Sequence, residues 1–231
     1  NTSVDIVHTI TVEDTTAPAV TGSITATTVE GCNENDAPAA VTDVAGLEGL
    51  TGDLLIADAC TADGSLTVAS SDASAGTCPL VITRTYTVTD ACNNTSVDIV
   101  HTITVEDTTA PVVTGTIADT TIEGCGASDA PAAETTVAGL EGLGLSIADA
   151  CTADGDLTVT NSDASTGTCP LVITRTYTIE DACGNKSEID HTISIDDTVA
   201  PTMDTEASNS TVECDGTSDP GGAFAAWLGS Y

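Results

Sequence analysis

Carboxylates and thiols are the groups of this chain best suited to chemistry, and they recur at fixed offsets. Asp58 and Asp90 each stand two residues ahead of a cysteine, Cys60 and Cys92. Asp149 and Asp181 stand in the same relation to Cys151 and Cys183. Asp14 and Asp107 open two copies of the segment Asp-Thr-Thr-Ala-Pro, with Glu13 and Glu106 just before them. If Asp14, Asp58 and Asp90 converge, and Asp107, Asp149 and Asp181 form a second set, each set gathers hard oxygens of the kind that hold Ca²⁺. Glu13 and Glu106 are placed to join. Ca²⁺ is the only cofactor these residues point to. The competing reading is that Asp is a good turn residue beside Ala-Cys and Thr-Ala-Pro.

The nine cysteines fall into two matched sets, Cys32, Cys60, Cys78, Cys92 and Cys125, Cys151, Cys169, Cys183, with Cys214 matching Cys32 and Cys125. No CxxC pair occurs, and the histidines are not at zinc-like spacing from the cysteines. Four cysteines in each small unit read as two disulfides and an oxidising, extracellular setting. Three pairings are open to four cysteines. Cys60 and Cys92 flank strands so as to lie at one end of a sandwich, with Cys32 and Cys78 at the other. This favours Cys32–Cys78 with Cys60–Cys92, and Cys125–Cys169 with Cys151–Cys183. The partner of Cys214 is expected beyond Tyr231.

Other side chains offer less. Arg84 and Arg175 lie in phase with an inward-facing Tyr, and the expected role is a partly buried ion pair with Glu30 and Glu123. His8, His101 and His191 fall on the inward face of their strands and read as hydrogen-bonded core residues. Sequons stand at Asn93, Asn94, Asn185 and Asn209. Asp-Thr-Thr places Thr15, Thr108 and Thr120 as weak O-glycosylation acceptors. No nucleophile–base pair, phosphate loop or catalytic carboxylate pair appears, so the expectation is that the chain is no enzyme.

The elements that must position these groups are mostly strands. Leu80, Ile82, Arg84, Tyr86 and Val88 alternate with Val81 and three threonines, and Leu171–Ile179 repeats the pattern. Ile99, His101, Ile103 and Val105 alternate likewise, as do Ile189–Ile195 and Val4–Val12. Leu66–Ser70 and Leu157–Asn161 supply another strand, and Ser23–Glu30 and Thr116–Glu123 the first of each unit. Val44, Leu47 and Leu50 have helical spacing, as do Val137, Leu140 and Leu143, and Phe224, Trp227 and Leu228. The fold expected is all-β, tandem immunoglobulin-like sandwiches each with a short helical insertion and two disulfides.

Residues 1–18 and 94–111 are identical. The acidic marker returns at Asp197–Pro201, which gives periods of 93 and then 90 residues. That length fits an array of small domains. The organisation expected is 1–13, the final strand of a preceding repeat; 14–106 and 107–196, two repeats; and 197–231, the start of a divergent one. The sequence thus reads as an interior window of a longer polypeptide. The charge is −33, with 36 acids against Arg84, Arg175 and Lys186. The acids are shared evenly, 13 in 14–106 and 15 in 107–196. Such a surface repels nucleic acid and anionic membrane and attracts cations. No apolar run is long enough to cross a bilayer, so direct membrane insertion is not expected.

The phrases TCPLVITRTYTVTDACNN, TCPLVITRTYTIEDACGN and VEDTTAP resemble the HYR-like, immunoglobulin-type repeats of giant Bacteroidetes cell-surface adhesins, most closely those of flavobacterial gliding motility. The resemblance covers nearly the whole chain, with 197–231 departing from the pattern. It implies a stalk or filament segment of an adhesin exported by the type IX system and displayed on the cell surface. The partners expected are neighbouring repeats of the same chain, with surface glycans or substratum engaged through other regions. A glycan-binding module array is the alternative, weakened by the inward phase of Tyr86 and Tyr177.

Overall fold

The computed structural model describes residues 4–203. Cys214, Asn209 and the helical pattern at Phe224, Trp227 and Leu228 lie outside them. By compactness, Asn1–Asp196 form one unit and Asp197–Tyr231 another. Within the second unit, residues 197–203 carry no regular element, and the Val199 amide donates to Asp197 Oδ1 at 3.0 Å.

The larger unit contains two copies of one all-β, immunoglobulin-like arrangement. In the first, strands β1 (Ala19–Thr21), β2 (Thr27–Glu30), β3 (Leu55–Ala57), β4 (Thr67–Ala75), β5 (Leu80–Thr89) and β6 (Ile99–Glu106) are joined by helix α1 (Val44–Glu48). The second runs β7 (Val112–Gly115), β8 (Thr120–Glu123), α2 (Val137–Gly142), β9 (Leu145–Ala148), β10 (Thr158–Thr166), β11 (Leu171–Glu180) and β12 (Lys186–Asp196). Each copy has a four-stranded sheet, β2-β6-β5-β4 or β8-β12-β11-β10, and a two-stranded ribbon, β1-β3 or β7-β9. The first strand of each larger sheet runs parallel to the last, and the other pairs are antiparallel.

Alternation of β-branched and polar residues makes these strands. Along β5, Ile82, Arg84, Tyr86 and Val88 point inward and the threonines outward. The inward side chains of β5 and β6 meet Ile56 of β3 and Val44 and Leu47 of α1, which close one face of the sheet. Ile82, Ile103 and Val105 form a second cluster near the trailing end. The helices are short because Gly46, Gly49, Gly139 and Gly142 lower their propensity. A side-chain cap starts each: Asp43 accepts from the Gly46 amide, and Thr136 from that of Gly139.

Three sequence expectations are corrected. Residues 4–13 form no strand, although their copy at 97–106 contributes β6. That copy is held between β5 and β2, and no such pair lies against 4–13, so Val4, Ile6, Ile10 and Val12 are exposed and His8 with them. The first strand of each unit is broken: Ser23–Glu30 contributes only β2, with Ile24 bridging Gly52, and Thr116–Glu123 only β8. Strand β4 runs on past Ser70 to Ala75 because β5 offers partners along that whole length.

That longer β4 also redirects the arginine. Asp72 sits directly across from Arg84 in the β4–β5 register. Arg84 Nε and Nη2 donate to the two Asp72 carboxylate oxygens at 2.8 Å each, and Nη1 donates to the Pro38 carbonyl at 2.6 Å. Arg175 does the same with Asp163 and Pro131. The expected partners Glu30 and Glu123 lie on other strands. Hydrogen bonding and charge from Arg84 lower the Asp72 pKa below the usual carboxylate range. Replacing Asp72 by Ala strands a guanidinium whose side chain is only 7% exposed, while Asp72 itself is 43% exposed. The expected loss in urea denaturation is about 1–3 kcal/mol, below the range for a fully buried pair.

His101 and His191 are core residues. His101 Nε2 shares a hydrogen bond with Thr27 Oγ1 at 2.9 Å, and His191 Nε2 one with Thr120 Oγ1 at 2.8 Å. Both Nδ1 atoms are buried without a partner. Burial, and then the neighbouring Arg84 or Arg175, push both imidazole pKa values down. A depressed folded pKa means the unfolded chain binds the proton more readily. Stability is therefore complete above the ordinary imidazole pKa of about 6.5 and falls as pH drops through it. Melting curves between about pH 7.5 and 5.5 should show this slope, and H101Q with H191Q should flatten it.

Candidate functional site

The site lies where the chain passes from one repeat to the next. Asp58 opens a turn in which its Oδ1 accepts from the Cys60 and Thr61 amides, at 2.9 and 2.6 Å. Asp90 Oδ1 likewise accepts from the Cys92 and Asn94 amides, both at 2.8 Å. These turns form because Asp closes a ring onto the amide two residues ahead. Asp149 and Asp181 make the same turns around Cys151 and Cys183. One aspartate therefore fixes the backbone of a cysteine and also faces its fellow carboxylates.

Both sets of three converge. One oxygen from each of Asp14, Asp58 and Asp90 lies within 4.8 Å of the others, and the same holds for Asp107, Asp149 and Asp181. Glu13 and Glu106 belong to neither group. The linker aspartate is held in place from below: Asn94 Nδ2 donates to the Asp14 carbonyl at 3.1 Å and to Asp90 Oδ2 at 2.7 Å, and Asn185 does so to Asp107 and Asp181. Asp14 Oδ1 accepts from Thr16 and Asp107 Oδ1 from Thr109. The second oxygen of each, Oδ2, is buried with no hydrogen-bond partner.

At Asp107 the electrostatics are unfavourable as they stand. Asp107 is 5% exposed. Burial, and then the charges of Asp149, Asp181 and Glu30, raise its pKa above the usual carboxylate range. A cation would relieve both the burial cost and the repulsion. Oxygens that all lie within 4.8 Å of one another can reach a single ion at Ca–O distances of about 2.4 Å, so the spacing admits Ca²⁺. Three carboxylate oxygens leave the remaining positions of a six- to eight-ligand shell to backbone or water.

The cysteines complete the joint and overturn the expected pairing. Cys32 is bonded to Cys151 and Cys78 to Cys183, with Cα–Cα distances of 4.9 and 5.3 Å. Cys32–Cys78 and Cys151–Cys183 are therefore not formed. Cys60, Cys92, Cys125 and Cys169 are not in disulfides, so Cys60–Cys92 and Cys125–Cys169 are not formed either. The physical reason is the short linker after Asp107, which sets the trailing loops of one repeat against the leading loops of the next. Cys32, Cys78, Asp107, Thr152 and Cys183 line one cleft of about 200 Å³.

Further residues of the joint escaped sequence reasoning. Glu30 accepts from the Thr108 amide and hydroxyl at 3.0 and 2.7 Å and from the Thr109 hydroxyl at 3.0 Å. The Thr108 hydroxyl, with its amide and Thr109, lowers the Glu30 pKa. Thr61 and Thr152 brace the paired turns through the Ala91 and Ala182 amides. Asn94 and Asn185 were visible only as sequons. The same offset of four residues from Asp90 and from Asp181 in the two repeats was the available signal. Of the O-glycosylation candidates, Thr15 is exposed, Thr108 is engaged by Glu30, and Thr120 by His191.

No family model matches the chain, and no curated protein matches it. Among the described residues no helix is long and apolar enough to cross a membrane.

Proposed function

We propose that this chain is a non-catalytic stalk segment of a secreted bacterial surface adhesin, serving attachment or gliding, in which Ca²⁺ and disulfides hold successive repeats in a fixed register. The observation that carries this reading is the joint. Two covalent bonds and a carboxylate trio converge on one boundary, where a flexible tether would need neither. The resemblance of the repeats to those of giant surface adhesins supports the placement outside the cell. So do the disulfides, which persist in oxidising compartments. The acidic surface keeps such an array from collapsing on itself. Glycan binding has no comparable support. Tyr86 and Tyr177 are both 1% exposed, and their hydroxyls are engaged by the Val41 and Glu134 amides.

An antibody against the two repeats tests the cellular role. Labelling of intact, unpermeabilised cells along surface filaments is the expected result. Antigen found only free in the medium, with none bound to cells, would overturn it.

A further inference from the structure

We infer that the trio Asp107, Asp149 and Asp181 is a redox-gated calcium site: the two disulfides across the joint hold its carboxylates together, and bound Ca²⁺ in turn holds the disulfides closed. The inference rests on the calcium reading proposed above and concerns what controls that site. The trio is divided between two repeats. Asp107 directly follows Glu106, the last residue of β6, and Glu30 of the first repeat accepts from the next two residues, Thr108 and Thr109. Asp149 and Asp181 follow the ends of β9 and β11 in the second repeat. Three oxygens that must meet one ion are thus carried by two sandwiches. Asp107 is 5% exposed, and its Oδ2 is buried with no hydrogen-bond partner, an atom that a cation would satisfy.

The disulfides span the same division. Cys32 and Cys78 belong to the first repeat, Cys151 and Cys183 to the second. Each bonded cysteine of the second repeat stands two residues from a carboxylate of the trio, on one turn. Asp149 Oδ1 accepts from the Cys151 amide at 2.9 Å, and Asp181 Oδ1 from the Cys183 amide at 2.8 Å. A force that moves the sulfur therefore moves the carboxylate. All four bonded cysteines line the cleft that Asp107 also lines. Hydrogen bonds from Asn185 and Ser187 to the carbonyls of Asp107 and Pro111 tie the second repeat to the linker as well. Each of these is worth only about 0.5–1.5 kcal/mol net, so the covalent bonds are the ties that keep the two halves of the trio in reach of one ion.

The chain carries its own control. Asp14, Asp58 and Asp90 meet the same 4.8 Å limit, yet Cys60 and Cys92 beside them are in no disulfide, and residues 4–13 ahead of them form no strand. The same carboxylates thus occur once clamped and once unclamped. Linkage makes the coupling reciprocal: the factor by which the bonds raise calcium affinity is the factor by which calcium favours the closed bonds. Opening each bond balances with a dithiol as reductant. The protein S–S bond breaks and takes two electrons and two protons from dithiothreitol, leaving two protein thiols, while the reductant closes to its own cyclic disulfide.

Calorimetric titration with Ca²⁺ tests this on the full chain carrying Asp14→Asn, which leaves the Asp107 trio as the site being read. The oxidised protein should bind, and dithiothreitol should weaken binding about tenfold or more, under conditions where circular dichroism shows both forms folded. Cys32→Ser with Cys78→Ser, in the same background and without reductant, should weaken it equally. In the chain carrying Asp107→Asn, where the leading trio is read, reductant should change nothing. Conversely, at a fixed ratio of reduced to oxidised dithiothreitol, saturating calcium should lower the alkylated fraction of Cys151 and Cys183 in the Asp14→Asn chain. The inference is overturned if oxidised and reduced Asp14→Asn protein bind calcium equally, or if reductant weakens both variants alike. Absence of calcium binding by the oxidised Asp14→Asn protein is a different failure: it ends the calcium reading of this trio, and the inference with it.

Discussion

Pulled from its two ends and fully unfolded, the oxidised chain should reach a contour length about 400 Å shorter than the reduced chain. Cys32–Cys151 spans 119 residues, and at about 3.4 Å per extended residue that stretch is taken out of the load path. Cys78–Cys183 spans 105 residues and offers only a longer alternative route, which stays slack. Tension therefore passes from the first strands of one repeat straight into the last strands of the next. The elements between the two cysteines, α1 and β3 to β6 of the first repeat and β7 to β9 with α2 of the second, are never loaded. Single-molecule stretching with and without reductant reads this directly. Pairing within each repeat would hide 46 residues between Cys32 and Cys78 and 44 between Cys125 and Cys169, about 300 Å in all, so a difference near 300 Å would contradict the connectivity. The same bonds should make the two repeats melt together. In the chain-entropy model a loop of about 100 residues contributes roughly 4.7 kcal/mol, with the second bond adding less because the first already restricts the ends. Cys151→Ser with Cys183→Ser should lower the melting temperature and separate the transition into two.

Calcium should raise the melting temperature by about 5–10 °C for each occupied joint. A ligand at 100 times its Kd stabilises the folded state by about 2.7 kcal/mol, and in a protein of this size each kcal/mol moves the midpoint by about 2–4 °C. The decisive variant is Asp107→Asn, which keeps the oxygen that accepts from Thr109 and removes the charge. Without metal it should be more stable than the parent, because burial and the charges of Asp149 and Asp181 oppose that carboxylate. With calcium the order should invert. The pH dependence has a definite sign as well. A folded pKa raised above the unfolded one favours the folded state at low pH, and that advantage is lost as pH rises through the folded value. Metal-free protein should show this slope above the usual carboxylate range, and calcium should remove it. Calorimetry in EDTA and in calcium checks all three expectations. Equal melting curves in the two conditions would end the calcium reading and leave the disulfide joint standing.

Strands β5, β6, β11 and β12 were legible in the sequence because eight to eleven residues of alternation leave one face to bury. The helices at Val44 and Val137 were legible from apolar spacing. The ribbons β1-β3 and β7-β9 were not, since strands of three or four residues are too short to show a period. The convergence of Asp14, Asp58 and Asp90 was foreseeable. Asp58 and Asp90 each follow the end of a strand, Asp14 stands on the linker that enters the same end, and strand ends of a sandwich gather at its poles. The partner of Arg84 was missed because it depends on how far β4 continues, a question of register that composition does not decide.

The cysteines mark the boundary between the two kinds of knowledge. Which of them share an end follows from the order of residues alone, because each closes or opens a strand of known direction. That both full repeats carry the same set also follows from the chain alone, because the repeat is written out twice. Which sulfur meets which is settled by how the two repeats pack. Disulfides need Cα atoms about 4.4–6.8 Å apart, and that proximity is set by how one sandwich abuts the next across a short acidic linker. Reading one repeat alone pairs its cysteines internally. Two repeats in contact pair them with each other.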